Sequence, residues 1–177
     1  MVGSCLLMMA IVGTLSFEFQ VSLPLLAHFT FHGEAGSYAF LSSAMGLGAA
    51  AGGLFLAGRR DRSSSLALAA ALFGAAILAA AFMPTLILAG VAMVAVGMAS
   101  IHFSSLGNSI LQLAAAPRMR GRVMALWSVA FLGSTTLGGP IVGWCAEWLG
   151  ARWGLALGGF AALAAATLGG AGKGRSD

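Results

Sequence analysis

Leu106-Gly-Asn-Ser-Ile-Leu-Gln-Leu-Ala-Ala-Ala-Pro-Arg-Met-Arg-Gly-Arg-Val-Met-Ala-Leu-Trp127 is the stretch whose reading decides the fold. A polar-studded apolar run ends at Pro117, and Arg118, Arg120 and Arg122 follow within five residues. A second apolar run then continues to Trp148, with Gly138-Gly139-Pro140 near its middle. Two membrane-length segments are thus joined by a short basic loop. Lys and Arg concentrate in loops that stay on the cytoplasmic side, so this loop sets an orientation that every other segment must match.

The composition agrees with a lipid solvent. Of 177 residues, 59% are hydrophobic and 8% charged, and the mean hydropathy is +0.95. A soluble domain carries about 25% charged residues. At ~20–25 residues per span plus short loops, the chain accommodates about six helices. The net charge of +4 and pI of 10.1 do not point to nucleic acid. The arginines sit in loop clusters between apolar runs and are not interleaved with aromatics on one face. Arginine outnumbers lysine eight to one, which fits a GC-rich bacterial genome. Cys5 and Cys145 fall at opposite membrane depths, so no disulfide or metal framework is expected, and no cofactor. Val2-Gly3-Ser4-Cys5 resembles a lipoprotein box superficially, but neither a basic start nor an apolar region precedes it.

The expected fold class is an all-α membrane protein: a single domain over 1–177 with six transmembrane helices in two inverted three-helix repeats. The expected spans are 2–27, 37–58, 66–82, 86–113, 123–148 and 154–170. Span one carries Thr14, Ser16, Glu18, Gln20 and Ser22, and a polar loop from His28 to Gly36 follows it. Span two is rich in small residues, including a Gly48-xxx-Gly52 pair suited to close helix approach. Arg59-Arg60-Asp61-Arg62 forms the first basic loop. The apolar block from Leu66 to Leu113 is too long for one span, and Pro84 divides it.

Parity tests the count. Six spans put the N-terminus, the loops after spans two and four, and the C-terminal tail on one side. That side holds Arg59, Arg60, Arg62, Arg118, Arg120, Arg122, Lys173 and Arg175; the other holds only Arg152. One miscounted span would scramble this asymmetry, so both termini are expected in the cytoplasm. Trp127 then lies near the inner interface, and Trp144, Trp148 and Trp153 near the outer one, as aromatic belts require.

Polar residues sort the spans further. Span four carries Ser100, His102, Ser104, Ser105, Asn108, Ser109 and Gln112, whereas spans three and six have one clear polar side chain, Thr167. Polar groups at membrane depth face protein or a water-filled cavity. Spans one and four are therefore expected to line an interior, while three and six are able to face lipid all round. A triplet pattern, polar first and apolar third, is what two inverted three-helix units give.

The motifs resemble a known family. Phe19-Gln-Val-Ser-Leu-Pro-Leu25, Asn108-Ser-Ile-Leu-Gln112 and Pro117-Arg-Met-Arg-Gly-Arg-Val123 look like the C-terminal six-helix half of a major facilitator superfamily transporter. The resemblance covers nearly the whole chain and is nearest to enterobactin-type siderophore exporters and macrolide or drug efflux pumps. Gly138-Gly-Pro-Ile-Val-Gly143 is similar to part of the antiporter motif G-P-x-x-G-G, with Trp144 in place of the second glycine. The loop Gly58-Arg-Arg-Asp-Arg62 departs from the family's G-x-x-x-D-R-x-G-R pattern in the position of its aspartate. The resemblance implies a bacterial plasma (inner) membrane location and proton-coupled export of a small organic molecule. It also implies a complementary N-terminal six-helix half as partner, besides the lipid bilayer.

Glu18 is the first candidate for substrate binding or proton coupling. It is the one carboxylate deep in an expected span, ~13 Å below the outer end by helical rise. The plainer reading is a hydrogen-bonded or hydrated interior residue. Gln20 shares its span. His102 lies ~10 Å deeper than Glu18, so a direct pair is not expected. A structural histidine bonded to a serine is the alternative to a proton relay. Asn108 and Gln112 are either substrate contacts near the inner mouth or partners in interhelical hydrogen bonds. Arg118, Arg120 and Arg122 set topology or form a cytoplasmic gate. A cation at a helix N-terminus opposes the macrodipole, so topology explains Arg120 and Arg122 better. Gly139 and Pro140 provide a kink in span five, with Thr135 and Thr136 near enough to satisfy the freed backbone.

Three functions compete: a transporter half, an intramembrane enzyme, and a six-span scaffold without transport of its own. A rhomboid-type protease needs its serine and histidine on different spans, whereas Ser109 shares span four with His102, so no enzyme is expected. The scaffold reading gains because a lone half lacks the partner that completes an alternating-access cavity, and the abrupt start of span one fits a truncated or split reading frame. The topology has a direct check. Cysteines placed at Ser64 and Arg120 should be shielded from an impermeant thiol reagent in intact cells, and one at Gly33 labelled; external labelling at Ser64 would overturn the map.

Overall fold

The computed structural model describes residues 2–33, 35–58, 65–115 and 117–171. Glu34, Lys173, Arg175, the basic cluster Arg59, Arg60 and Arg62, and the side chains of Arg120, Thr135 and Thr136 lie outside the described residues. The helices are α1 (Val2–Ser16), α2 (Phe19–Leu25), α3 (Ala35–Gly58), α4 (Leu66–Ala81), α5 (Leu86–Ala114), α6 (Arg120–Leu149) and α7 (Ala151–Ala171). A π-helical turn, Leu26–Thr30, extends α2, and a 3₁₀ turn, Pro117–Met119, leads into α6.

The chain's punctuation explains most of these limits. Ser65 caps α4 by accepting from the Leu68 amide at 3.2 Å, and Thr85 caps α5 by accepting from Leu88 at 3.3 Å. Pro84 lies between α4 and α5, where it breaks no helical hydrogen bond. Gly150, at φ +100°, turns α6 into α7.

Span one is not the uninterrupted helix expected over 2–27. It is α1 and α2, separated at Phe17–Glu18. Nor does the outer loop begin at His28, because the π turn carries helix to Thr30, with the Phe31 amide donating to the Leu26 carbonyl at 3.3 Å. Pro24, inside α2, lacks an amide, and the wider turn that follows it accommodates this loss.

Among the described residues, four stretches are long and apolar enough to cross a membrane: Leu7–Thr30, Ala35–Ala57, Leu86–Leu113 and Ala151–Leu168. Leu66–Ala81 is apolar but shorter, at 16 residues, or ~24 Å. The helix Arg120–Leu149 has 30 residues. The six expected spans therefore correspond to four crossing stretches, one short apolar helix and one long helix.

Helix packing carries the repeat. Call α1 with α2 the first unit of the bundle, and α3, α4, α5, α6 and α7 the second to sixth. The principal pairs are α3 with α5, α4 with α7, α4 with α5, α1 with α6 and α1 with α7. Exchange first with fourth, second with fifth and third with sixth. The pair α3–α5 then becomes α6–α1, the pair α4–α5 becomes α7–α1, and α4–α7 maps onto itself. A three-helix unit has an odd number of crossings, so its copy is inverted.

Small residues set the closest contacts. Gly48 of α3 lies against the Val94 carbonyl of α5, and Gly97 of α5 against the Met45 carbonyl of α3. A Cβ on Gly52 would stand 3.0 Å from the Met98 Cα. Backbones meet here because glycines on both helices leave room for close approach.

Spans three and six do not face lipid all round. Ala70, Phe73, Ile77 and Ala80 of α4 and Ala156, Ala162 and Ala165 of α7 are buried, and the two helices pack together. Only their opposite faces, with Leu68, Leu72, Phe160 and Leu168, are exposed. Phe73 is fully buried, and its ring lies 5.1 Å from Phe17, 6.2 Å from Phe19 and 6.3 Å from Phe103. It joins spans one, three and four. Phe73→Ala should destabilise the fold by about 2 kcal/mol. That lies below the soluble range because lipid, not water, is the reference for a membrane helix. Leu72→Ala, on the exposed face, should be near neutral. Thermal unfolding in detergent measures both.

Candidate functional site

The break in span one is the centre of the site, and its cause is local. Residues i and i+2 on a continuous helix point ~200° apart. Phe17 and Phe19 nevertheless both reach the Phe73 ring, and their own rings meet edge to face at 6.2 Å. A helix running through Phe17 and Glu18 would swing one of them away. Thr14 adds to the bend by donating from Oγ1 to the Ala10 carbonyl at 2.6 Å. Ser16 donates from Oγ to the Gly158 carbonyl at 2.6 Å and ties the end of α1 to α7.

Glu18 stands between the two half-helices with φ −80° and ψ 41°. It is 7% exposed. Its backbone carbonyl accepts from the Ser22 amide at 2.9 Å and opens α2. Its Oε1 is enclosed and has no hydrogen-bond partner among the described residues. The carboxylate faces α6. A Cβ on Gly138 would meet the Thr14 carbonyl and would stand 2.9 Å from Glu18 Oε1, and one on Gly139 would stand 3.5 Å from Oε2. The Thr14 carbonyl belongs to the last turn of α1, whose carbonyls lack helical donors. The Thr14 carbonyl and the Glu18 carboxylate thus converge on a pair of glycines.

The other expected residues are placed differently. Among the described residues, Asn108 and Gln112 bond each other and no second helix. The Gln112 Nε2 donates to Asn108 Oδ1 at 2.9 Å along the same face of α5. His102 is half-buried, and no serine bonds it among the described residues. Gln20 is exposed. Arg118, in the 3₁₀ turn, and Arg122, in the first turn of α6, are both exposed. The helix α6 runs from Arg120 to Leu149 through Gly139 and Pro140.

A groove of about 720 Å³ lies between α2 with its π turn and the last turns of α6. Gln20, Pro24 and Phe29 line one wall, and Gly143, Ala146 and Glu147 the other. Its size is that of a small-molecule site. Glu147 is absent from the sequence-based candidates. A signal for it exists: Gly143, Ala146, Glu147 and Gly150 follow i, i+3, i+4, i+7 spacing, which puts one acid on an otherwise small face.

Residues 1–173 match the protein family described as transmembrane secretion effector, of the major facilitator (MFS) type. The chain belongs to that family. No curated protein matches the chain. The secretion effector family is one of membrane transporters, so this is a multi-pass membrane protein of that class, as its apolar helices indicate.

The two glycines of α6 make unequal demands. Gly138→Ala should force α1 and α6 apart and cost about 1–3 kcal/mol, the range for overpacking against backbone. Gly139→Ala meets only ordinary contacts and should change the unfolding midpoint little. Equal effects of the two substitutions would contradict this crossing geometry.

Proposed function

We propose that this chain is the C-terminal six-helix half of an exporter that moves a drug-like or siderophore-like organic molecule out of a bacterial cell in exchange for protons. It lies in the plasma membrane with both termini in the cytoplasm and works with a complementary six-helix half. The observation that carries this reading is Glu18, an enclosed carboxyl at a break in the first span, whose Oε1 has no hydrogen-bond partner among the described residues. A structural carboxyl of this kind would be costly in lipid unless it has work to do. The inverted-repeat packing supports alternating access, since the two three-helix units can rock against a partner half. The groove beside Gln20 and Glu147 offers an amphipathic wall for an organic substrate.

Glu18→Gln tests the coupling in a complete transporter that carries this half. Gln keeps the shape and hydrogen-bonding capacity but cannot exchange a proton. Substrate efflux measured against external pH should lose its pH dependence, while stability changes by no more than ~1 kcal/mol. An unchanged pH profile, with expression and thermal stability matched, would make Glu18 a structural residue.

A further inference from the structure

We propose that the groove between α2 and the last turns of α6 takes an organic cation, with Glu147 as the residue that selects its charge. The inference deepens the proposed export of an organic molecule and rests on that reading. It narrows the substrate to positively charged, drug-like amphiphiles.

The lining joins three chemistries. Val21 and Pro24 give one wall an apolar surface, and Gly143 and Ala146 leave space along the facing wall of α6. Phe29, 64% exposed, adds an aromatic ring to the lining. Glu147 is exposed, and among the described residues it has no ion pair or hydrogen bond. It is the one charged group in the lining. The volume of about 720 Å³ accommodates a molecule of drug size.

Desolvation decides which ligand fits. While the groove is open, water solvates the Glu147 carboxylate. A neutral molecule seated there would strip that water and leave the charge without a partner, and an anion would add repulsion. A lipid tail or an apolar helix laid over the groove would incur the same cost. A cation replaces the lost water with opposite charge, and the face of the Phe29 ring attracts that charge too. No cation of the chain takes the place among the described residues. The helix α2 has no titratable side chain, and Arg122 stands ~37 Å from Glu147 along α6. Arg152, in the first turn of α7, is outside the lining and forms no ion pair with Glu147 among the described residues. His28, in the π turn, lines a separate hollow with His32 and Gly33.

The test compares two ions of one shape and opposite charge, tetraphenylphosphonium and tetraphenylborate. Each is measured separately by equilibrium dialysis against the full chain in phosphatidylcholine nanodiscs, with empty nanodiscs subtracting partition into lipid. Tetraphenylphosphonium should bind saturably and tetraphenylborate should not. Glu147→Gln should weaken tetraphenylphosphonium binding about tenfold, as the loss of one charge pair in a half-open groove. Glu147→Asp, which keeps the charge, should lose less. Gly143→Leu should abolish binding, because a Cβ there would meet only Val21 Cγ1, at 3.8 Å, and the longer side chain fills the groove. Should Glu147→Gln fail to fold, the two ions on the unaltered chain decide alone. Four results would overturn the site: no saturable tetraphenylphosphonium binding, as when lipid covers the groove; equal binding of both ions; unchanged affinity in folded Glu147→Gln; or binding that survives Gly143→Leu. Each leaves the exporter reading to the efflux profile of Glu18→Gln, which does not involve the groove.

Discussion

The structure depends on one contact, the last turn of α1 pressed against Gly138 of α6. In lipid no water satisfies a backbone carbonyl, so a helix broken in mid-span must rest its loose ends on protein. Gly138 provides that rest for Thr14, and Gly158 does the same for the Leu15 carbonyl on the other side, where its Cβ would stand 2.7 Å away. Spans five and six thus flank the break with glycines. Remove that closeness and the break would expose its carbonyls to hydrocarbon.

Seen this way, the aromatic cluster and the glycine seat are two halves of one arrangement. Phe73 draws Phe17 and Phe19 to the same side, which opens the helix between them. The glycines of α6 accept what the opening leaves on the other side. Glu18 occupies the opening and is the one group there that can change its charge. A residue that changes charge at the meeting of two repeats biases their relative position, which is what coupling an ion to transport requires.

Much of this was legible in the sequence. Hydropathy and the arginine clusters at 59–62 and 118–122 imply the order of helices, because length, apolarity and loop charge act locally. Pro84 marks the division of the long apolar block, and the structure begins α5 at Leu86. The polar first members of each triplet foreshadow the repeat that the packing displays. Glu18 stands out as the deep carboxylate. The break beside it does not, because no glycine or proline marks residues 16–19. It arises from long-range competition for Phe73, and a periodic reading sees only neighbours. The sequence leaves Asn108 and Gln112 open to substrate contact or interhelical bonding, and the bond that is described runs along one helix, from Gln112 to Asn108 four residues before it. Spans three and six look lipid-facing because alanine and leucine serve lipid and core alike, and composition does not separate the two. Glu147 stands among tryptophans at the end of its helix, and the opposite wall of its groove comes from α2, which is distant in sequence.

The central claim is that span one is broken at Glu18 and rests there on Gly138. Solid-state NMR of the isotopically labelled chain in lipid bilayers addresses it most directly. The account predicts non-helical backbone shifts at Phe17 and Glu18 between helical neighbours, and a cross-peak linking the Thr14 carbonyl carbon to the Gly138 Cα. Continuous helical shifts from Val12 to Leu23 with no such cross-peak would contradict it.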